Sequence, residues 1–262
     1  MSIQLIEPST SAPTGSASDS AVLEDYLFAA TEMLSRDDLR VTTETDMTGW
    51  VDVIASAPRS AGVNPTFNPA KTDHADAYWL HVRHGSRTAA VIAARYIECP
   101  AYYDFVRAGT LWSRDPSATV EILIGDAGPG GRLAHTGGLW VDPDYRGIGL
   151  SWLMPRFNHC FAVRRWNLDS VTAMVFEGLK KTGIPEKNYG SEVSRLMIDG
   201  DFAPTGRPER ITSLEYTLPF LVERARHDAE LIGNDGDQQM RDLAPIASQR
   251  NDQAAINRRD VA

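Results

Sequence analysis

The spacing of apolar positions changes several times along the chain, and each change predicts a new element. Ala21, Leu23, Tyr26, Leu27, Ala30 and Met33 recur at helical intervals, and a second helix is predicted from Thr48 to Ala57, after Asp46. Pro58, Gly62, Pro65 and Pro69 then break the pattern into a long loop. From Asp76 the period falls to two, and AYWLHVRHGSRTAAVIAARYI reads as a hairpin turning through His84, Gly85, Ser86 and Arg87. A brief helix is predicted near Ala101–Arg107, after Pro100. ATVEILIG, the turn DAGPGGR and LAHTGGLWV read as a second hairpin. After Val141 the helical period returns, with Leu150, Leu153, Met154, Phe157, Cys160 and Phe161 on one stripe, and SVTAMVF follows as a buried strand. Strand, glycine turn, helix and strand in that order predict a βαβ crossover between parallel strands. RLMIDGDF and SLEYTLPFLV read as two closing strands. The fold class expected is mixed α/β: a mostly antiparallel central sheet with one βαβ unit and flanking helices. Residues 1–20 read as a flexible lead-in, 21–222 as one domain, and 223–262 as a polar helix or tail.

Composition narrows the classes of function. The chain has 262 residues and a formal charge of -9, yet the first 50 residues carry nine acids against two bases, so the acidity belongs mainly to the N-terminal region. No basic stripe argues for nucleic acid. Two cysteines, Cys99 and Cys160, make no disulfide framework and stand at no metal-ligand spacing, so no metal is expected and a reduced, cytoplasmic setting is. The opening residues lack the pattern of a signal peptide, and no apolar run is long enough to enter a membrane.

One stretch carries chemistry. Arg146, Gly147, Ile148, Gly149, Leu150 and Ser151 lie between the end of a strand and the start of an amphipathic helix. Glycines there let a ligand approach the backbone, and the unpaired N–H groups of the helix start, with the positive end of the dipole behind them, suit a pyrophosphate. A simple strand-to-helix turn with a surface arginine fits the same residues. No GxxxxGK[ST] occurs, and the third glycine of GxGxxG is missing, which weighs against a nucleotide fold.

LWVDPDYRGIGLSWLM resembles motif A of the GNAT N-acetyltransferase superfamily, in which an apolar strand ends in V-x-P-x-x-R-G-x-G and leads into a helix. Arg146, Gly149 and Ser151 fill the defining positions, with Ser151 departing from the usual small apolar residue. The resemblance implies a GNAT-like acyl-CoA-binding fold and acyl transfer, most simply of acetyl from acetyl-CoA directly to a primary amine on a small molecule or protein. It implies that backbone N–H groups of Gly147 to Ser151 hold the CoA pyrophosphate, and that the exposed backbone of Leu139, Trp140 and Val141 pairs with the pantetheine arm. A homodimer is the assembly expected of the class.

The family often places a catalytic Glu on or beside the motif strand, and Leu133–Val141 contains none. Glu121 and His135 are the nearest substitutes for a base, with a solvent-facing Glu and a hydrogen-bonded His as the simpler readings of the same residues. Tyr189 stands where the family places the acid that protonates the departing thiolate, and a packed aromatic is its other reading. Tyr102, Tyr103, Phe105 and Trp112 form a candidate acceptor wall or a core cluster. Cys160 lies on the apolar stripe and is expected in the core. Two other functions remain: a non-catalytic acyl-CoA-binding sensor or scaffold, and a longer-chain acyltransferase resembling lactone synthases. The acceptor, acyl length and oligomeric state lie beyond the sequence.

Overall fold

The computed structural model describes residues 16–115, 117–234 and 240. Seven strands form one sheet in the order β1-β2-β3-β4-β5-β7-β6. They are β1 (Leu39–Glu44), β2 (Ala77–His84), β3 (Arg87–Cys99), β4 (Gly131–Val141), β5 (Ser170–Phe176), β6 (Val193–Phe202) and β7 (Arg207–Thr217). Every neighbouring pair is antiparallel except β4 and β5. That parallel pair is joined by helix α4 (Leu150–Trp166), which is the βαβ unit the sequence predicts.

Helices cover both faces. α1 (Ala17–Arg36) and α6 (Leu218–Asn234) join α4 on one face, where Tyr26, Met33, Trp152, Leu153, Cys160 and Leu221 share a core with Leu80, Ile92 and Val171 of the sheet. A capping box starts α1: the Ser16 side chain accepts from the Asp19 N–H, and the Asp19 carboxylate accepts from the Ser16 N–H. On the other face, α2 (Met47–Ser56) packs Trp50 and Ile54 against Trp79, Val91, Ala93 and Trp140, while α3 (Tyr102–Arg107) seals a third cluster. Covered on both sides, β3 is apolar at successive positions, and Ala89 to Ala94 are all buried.

The structure corrects the predicted elements in four places. Residues 17–20, read as part of a flexible lead-in, form the first turn of α1, which the Ser16–Asp19 capping box starts four residues earlier than expected. ATVEILIG is an irregular segment: β3 and β5 already occupy both edges of β4, which leaves no ladder for it to join, so Val120 and Ile124 are tucked into the α3 cluster instead. The second hairpin partner of β4 is therefore absent, and the long β3 takes its place. LPFLV does not extend a strand. β7 ends at Thr217 and α6 begins at Leu218, because Pro219 cannot donate to a ladder but fits the first turn of a helix. Finally, β1 was not predicted; Val41, Thr42 and Thr43 form a short edge strand on β2. No described helix is long and apolar enough to cross a membrane.

Candidate active site

Strands β4 and β5 pair only from Leu133↔Ser170 to Thr136↔Ala173. Beyond that point β4 stays with β3, where Trp140 and Val141 pair with Val91 and Ala90, while β5 stays with β7 through Phe176. The two strands therefore splay. The β5-facing edge of Gly137–Val141 has no strand partner, and a cavity of about 460 Å³ opens there, in the range of small-ligand sites.

A bulge shapes this edge. Ala93 pairs with Gly137 and Val91 with Trp140, so two β4 residues, Gly138 and Leu139, oppose Ile92 alone. Gly138 has φ +63°, and a Cβ there would lie 2.4 Å from Trp50 Cζ2. Glycine is required on both counts, and its absence of a side chain lets the indole rest directly on the strand backbone.

The strand runs on into a turn over Pro143–Tyr145 and then into Arg146–Ser151 at the head of α4. Gly147 has φ +84° with open space around it, whereas a Cβ on Gly149, at φ +97°, would meet the carbonyl of Met240 at 2.6 Å. The open approach to the turn is thus on the Gly147 side. Arg146 is exposed and its Nε donates to the Val141 carbonyl at 3.3 Å. Ser151 Oγ accepts from Asn188 Nδ2 at 2.8 Å. Asp142 is held by Arg87 at 3.0 Å, which also reaches Asp144.

The predicted residues separate into two groups. Leu139, Trp140 and Tyr189 line the cavity, and Val141 to Ser151 continue from it around the head of α4. His135 and Glu121 do not line it. Period two turns His135 to the α3 face, where Nδ1 lies 3.0 Å from the Tyr102 hydroxyl and 3.1 Å from that of Thr172, and the ring stacks on Phe67. Burial lowers its pKa to about 3, with Arg95 adding to the shift, so it stays neutral at ordinary pH. Glu121 is exposed in the irregular segment, beside the turn between β6 and β7. Tyr102, Tyr103 and Trp112 are core rather than acceptor wall. Cys160 is buried as expected, its thiol pushed up to about 12 by desolvation.

The cavity contains groups that sequence reasoning missed. His159 of α4 sits at the point where the strands part. A guanidinium can only donate, so Arg224 Nη2 at 3.0 Å from Nδ1 fixes the proton on Nε2, which donates to Thr136 Oγ1 at 3.1 Å. Burial first, then Arg224 and Arg156, hold the His159 pKa well below its ordinary value. It is a neutral donor with both ring nitrogens committed. Arg224 Nη1 also donates to the carbonyls of Tyr189 and Gly190 at 3.1 and 3.3 Å, tying the turn that carries Tyr189 to the same network. Behind it, Arg156 and Asp228 form a fully buried ion pair at 3.0 Å. Tyr216 packs against His159 with ring centroids 4.4 Å apart and the planes tilted by 53°, and its hydroxyl has no partner among the described residues; burial pushes its pKa up to about 12. Desolvation likewise raises the Tyr189 phenol, with Tyr216 the next cause. The one sequence signal for this network was polar: Arg156, Asn158 and His159 interrupt the apolar stripe of α4, and all three are buried. Among the described residues, no group of three metal-ligating side chains converges.

No family model matches the chain, and no curated protein does. Solved structures do. A spermidine N-acetyltransferase chimera from Vibrio cholerae matches at 10% identity and a TM-score of 0.44, over 71% of this chain and 99% of its own. An Arabidopsis thaliana NAA60 in complex with acetyl-CoA matches at 11% and 0.44, over 68% of this chain and 99% of its own. The ribosomal-protein-S18-alanine N-acetyltransferase of Escherichia coli matches at 12% and 0.39, over 68% and 94%.

Proposed function

We propose that the protein is an acyl-CoA-dependent N-acyltransferase that moves an acyl group, most simply acetyl, directly from the thioester to a primary amine. The observation that carries this reading is the parting of β4 from β5 after Thr136. It leaves a free backbone edge of five residues, 137–141, leading straight to a glycine turn at the head of a helix. An amide-bearing arm can pair with such an edge as an added strand, and a pyrophosphate can meet the N–H groups of the turn on the open Gly147 side.

In this arrangement the amine nitrogen attacks the acyl carbonyl carbon beside the bulge. The oxyanion accepts from a backbone N–H of the unpaired edge. As the intermediate collapses, the C–S bond breaks and the C–N bond of the amide remains. The ammonium gives one proton to solvent to become the attacking amine, the nitrogen gives up a second as the intermediate forms, and the departing thiolate takes one from the Tyr189 phenol, which the nitrogen's second proton restores. Among the described residues lining the cavity, Glu209 is the one carboxylate; it accepts from Arg207 Nε at 2.7 Å, and we assign it to receive the amine proton. Arg224 is a positioning residue, acting through the Tyr189 turn.

The test is calorimetric titration with acetyl-CoA, followed by thiol-release assays with amines. Binding abolished by Gly147→Asp, together with thiol release that depends on amine, is the expected result. Failure to bind acetyl-CoA or longer acyl-CoAs refutes the reading, and binding without turnover of any amine makes the chain a binding module instead.

A further inference from the structure

We propose that the edge strand β1 pairs antiparallel with β1 of a second copy of this chain, with the two-fold axis at Thr42. β1 pairs with β2 on one side, and among the described residues no strand pairs with the other. A bulge, a proline or a lysine usually blunts such an edge. β1 has none of these: its register with β2 runs unbroken from Leu39↔His84 to Glu44↔Trp79, and its centre, Val41, Thr42 and Thr43, is β-branched throughout. Leu39 is buried and Val41 half-buried in the core beneath α1, so Arg40, Thr42 and Glu44 share the opposite face.

That face carries positive charge without a counter-charge. Arg40 lies directly opposite Arg83 of β2, and both are exposed. Like charges so placed repel. Arg83 Nε donates to His81 Nδ1 at 3.1 Å, and His81 is neutral, since burial and then Arg83 lower its pKa to about 4. Among the described residues, neither guanidinium has a carboxylate partner. Glu44, the acid on this face of β1, accepts from Thr42 Oγ1 at 3.2 Å. Four strand positions, about 13 Å, separate it from Arg40 of its own chain.

Two-fold symmetry supplies the missing acid. A strand meeting its own copy antiparallel sets one residue opposite itself, and an axis normal to the sheet keeps each face on its own side. With Thr42 on that axis, Arg40 of each protomer faces the partner's Glu44, and this contact occurs twice. Val41 then faces the partner's Thr43 on the α1 side. Moving the axis to Val41 would instead leave Arg40 opposite Thr42 and bring Asp38 toward Glu44. Charge therefore selects both the partner and the register. β4 stands three strands in from this edge, so the cavity between β4 and β5 stays open in the dimer, and the pairing is independent of the acyl transfer proposed above.

Sedimentation equilibrium of the full chain tests this. The protein should show a monomer–dimer equilibrium with a micromolar Kd. Arg40→Glu and Glu44→Arg should each raise that Kd by at least about tenfold, because each inverts two contacts at once. An equimolar mixture of the two variants joins opposite charges at every contact again, and its heterodimer Kd should return to within about threefold of the parent value. Circular dichroism checks that each variant is folded, and Arg40→Ala, which should weaken the dimer in the same direction, replaces Arg40→Glu if that variant is not. A monomer at concentrations up to about 1 mM, a dimer indifferent to the substitutions, or a mixture as weak as its two components overturns the proposal.

Discussion

Gly138→Ala perturbs the bulge at one atom, and the cost follows from two separable causes. The backbone is at φ +63°, where an L-residue with a Cβ costs about 1–2 kcal/mol. The new methyl would also lie 2.4 Å from Trp50 Cζ2, and the indole has little room to retreat, being fully buried with Phe67 edge-on at 5.7 Å between centroids. Overpacking of this kind costs about 1–3 kcal/mol. The sum is roughly 2–5 kcal/mol, or a fall in Tm of roughly 5–15 °C for a chain of this size. Gly147→Ala is the matched control. Its φ of +84° carries the same backbone cost, but nothing lies within 4 Å of the added Cβ, so a fall of roughly 3–6 °C is expected. A double-mutant cycle then isolates the contact: in a Trp50→Ala background, Gly138→Ala should cost only the backbone part, about 1–2 kcal/mol. The assay is thermal and urea unfolding of the four proteins of the cycle and the control. Equal cost in both backgrounds, or equal cost for Gly138→Ala and Gly147→Ala, would refute the placement of Trp50 on the strand and with it the shape of the cavity.

Other outcomes follow from the same geometry. Gly147→Asp should weaken acetyl-CoA binding by about tenfold or more through charge repulsion at the open side of the turn, whereas Gly147→Ala should retain most of it, as read by calorimetry. Tyr189→Phe should lower kcat by about a hundredfold with KM little changed, and a kcat unaffected by the loss of the hydroxyl would remove Tyr189 from the proton path. Asp228→Asn strips the buried partner from Arg156 and should cost about 3–5 kcal/mol in urea unfolding, much more than a surface ion pair. His135 is held neutral, its folded pKa depressed to about 3. The unfolded chain takes up the proton first, so this contribution is complete above the unfolded value of about 6.5 and shrinks as pH falls, by about 2 kcal/mol at pH 5. His159, His81 and His74 act in the same direction, so His135→Gln should remove roughly a quarter to a third of the pH dependence between pH 6.5 and 5.

Local spacing carried much of the architecture. The body of the first helix from Ala21 on, the β2–β3 hairpin and the strand, glycine turn, helix and strand of β4–α4–β5 all formed where periodicity and turn residues put them, because each is specified by neighbours close in sequence. ATVEILIG failed for the opposite reason. Its alternation is a good strand pattern, but whether a strand exists depends on a free edge, and β4 had none left. His135 shows the same limit within a single strand: alternation places it one step from Thr136 on the opposite face, yet only the packed sheet tells which of the two faces α4 and which meets Tyr102.

From its sequence alone, the chain determined the β2–β3 hairpin, the βαβ unit and the glycine turn that heads α4, since these depend on apolar spacing and on backbone freedom at Gly147 and Gly149. Tertiary structure decided where β4 leaves β5, which aromatic residues wall the gap and which polar groups sit inside it. Trp50 and Gly138 are 88 positions apart, and Arg224 meets His159 across 65; such contacts arise from closing long loops and from competition for buried space, and no local pattern encodes their outcome.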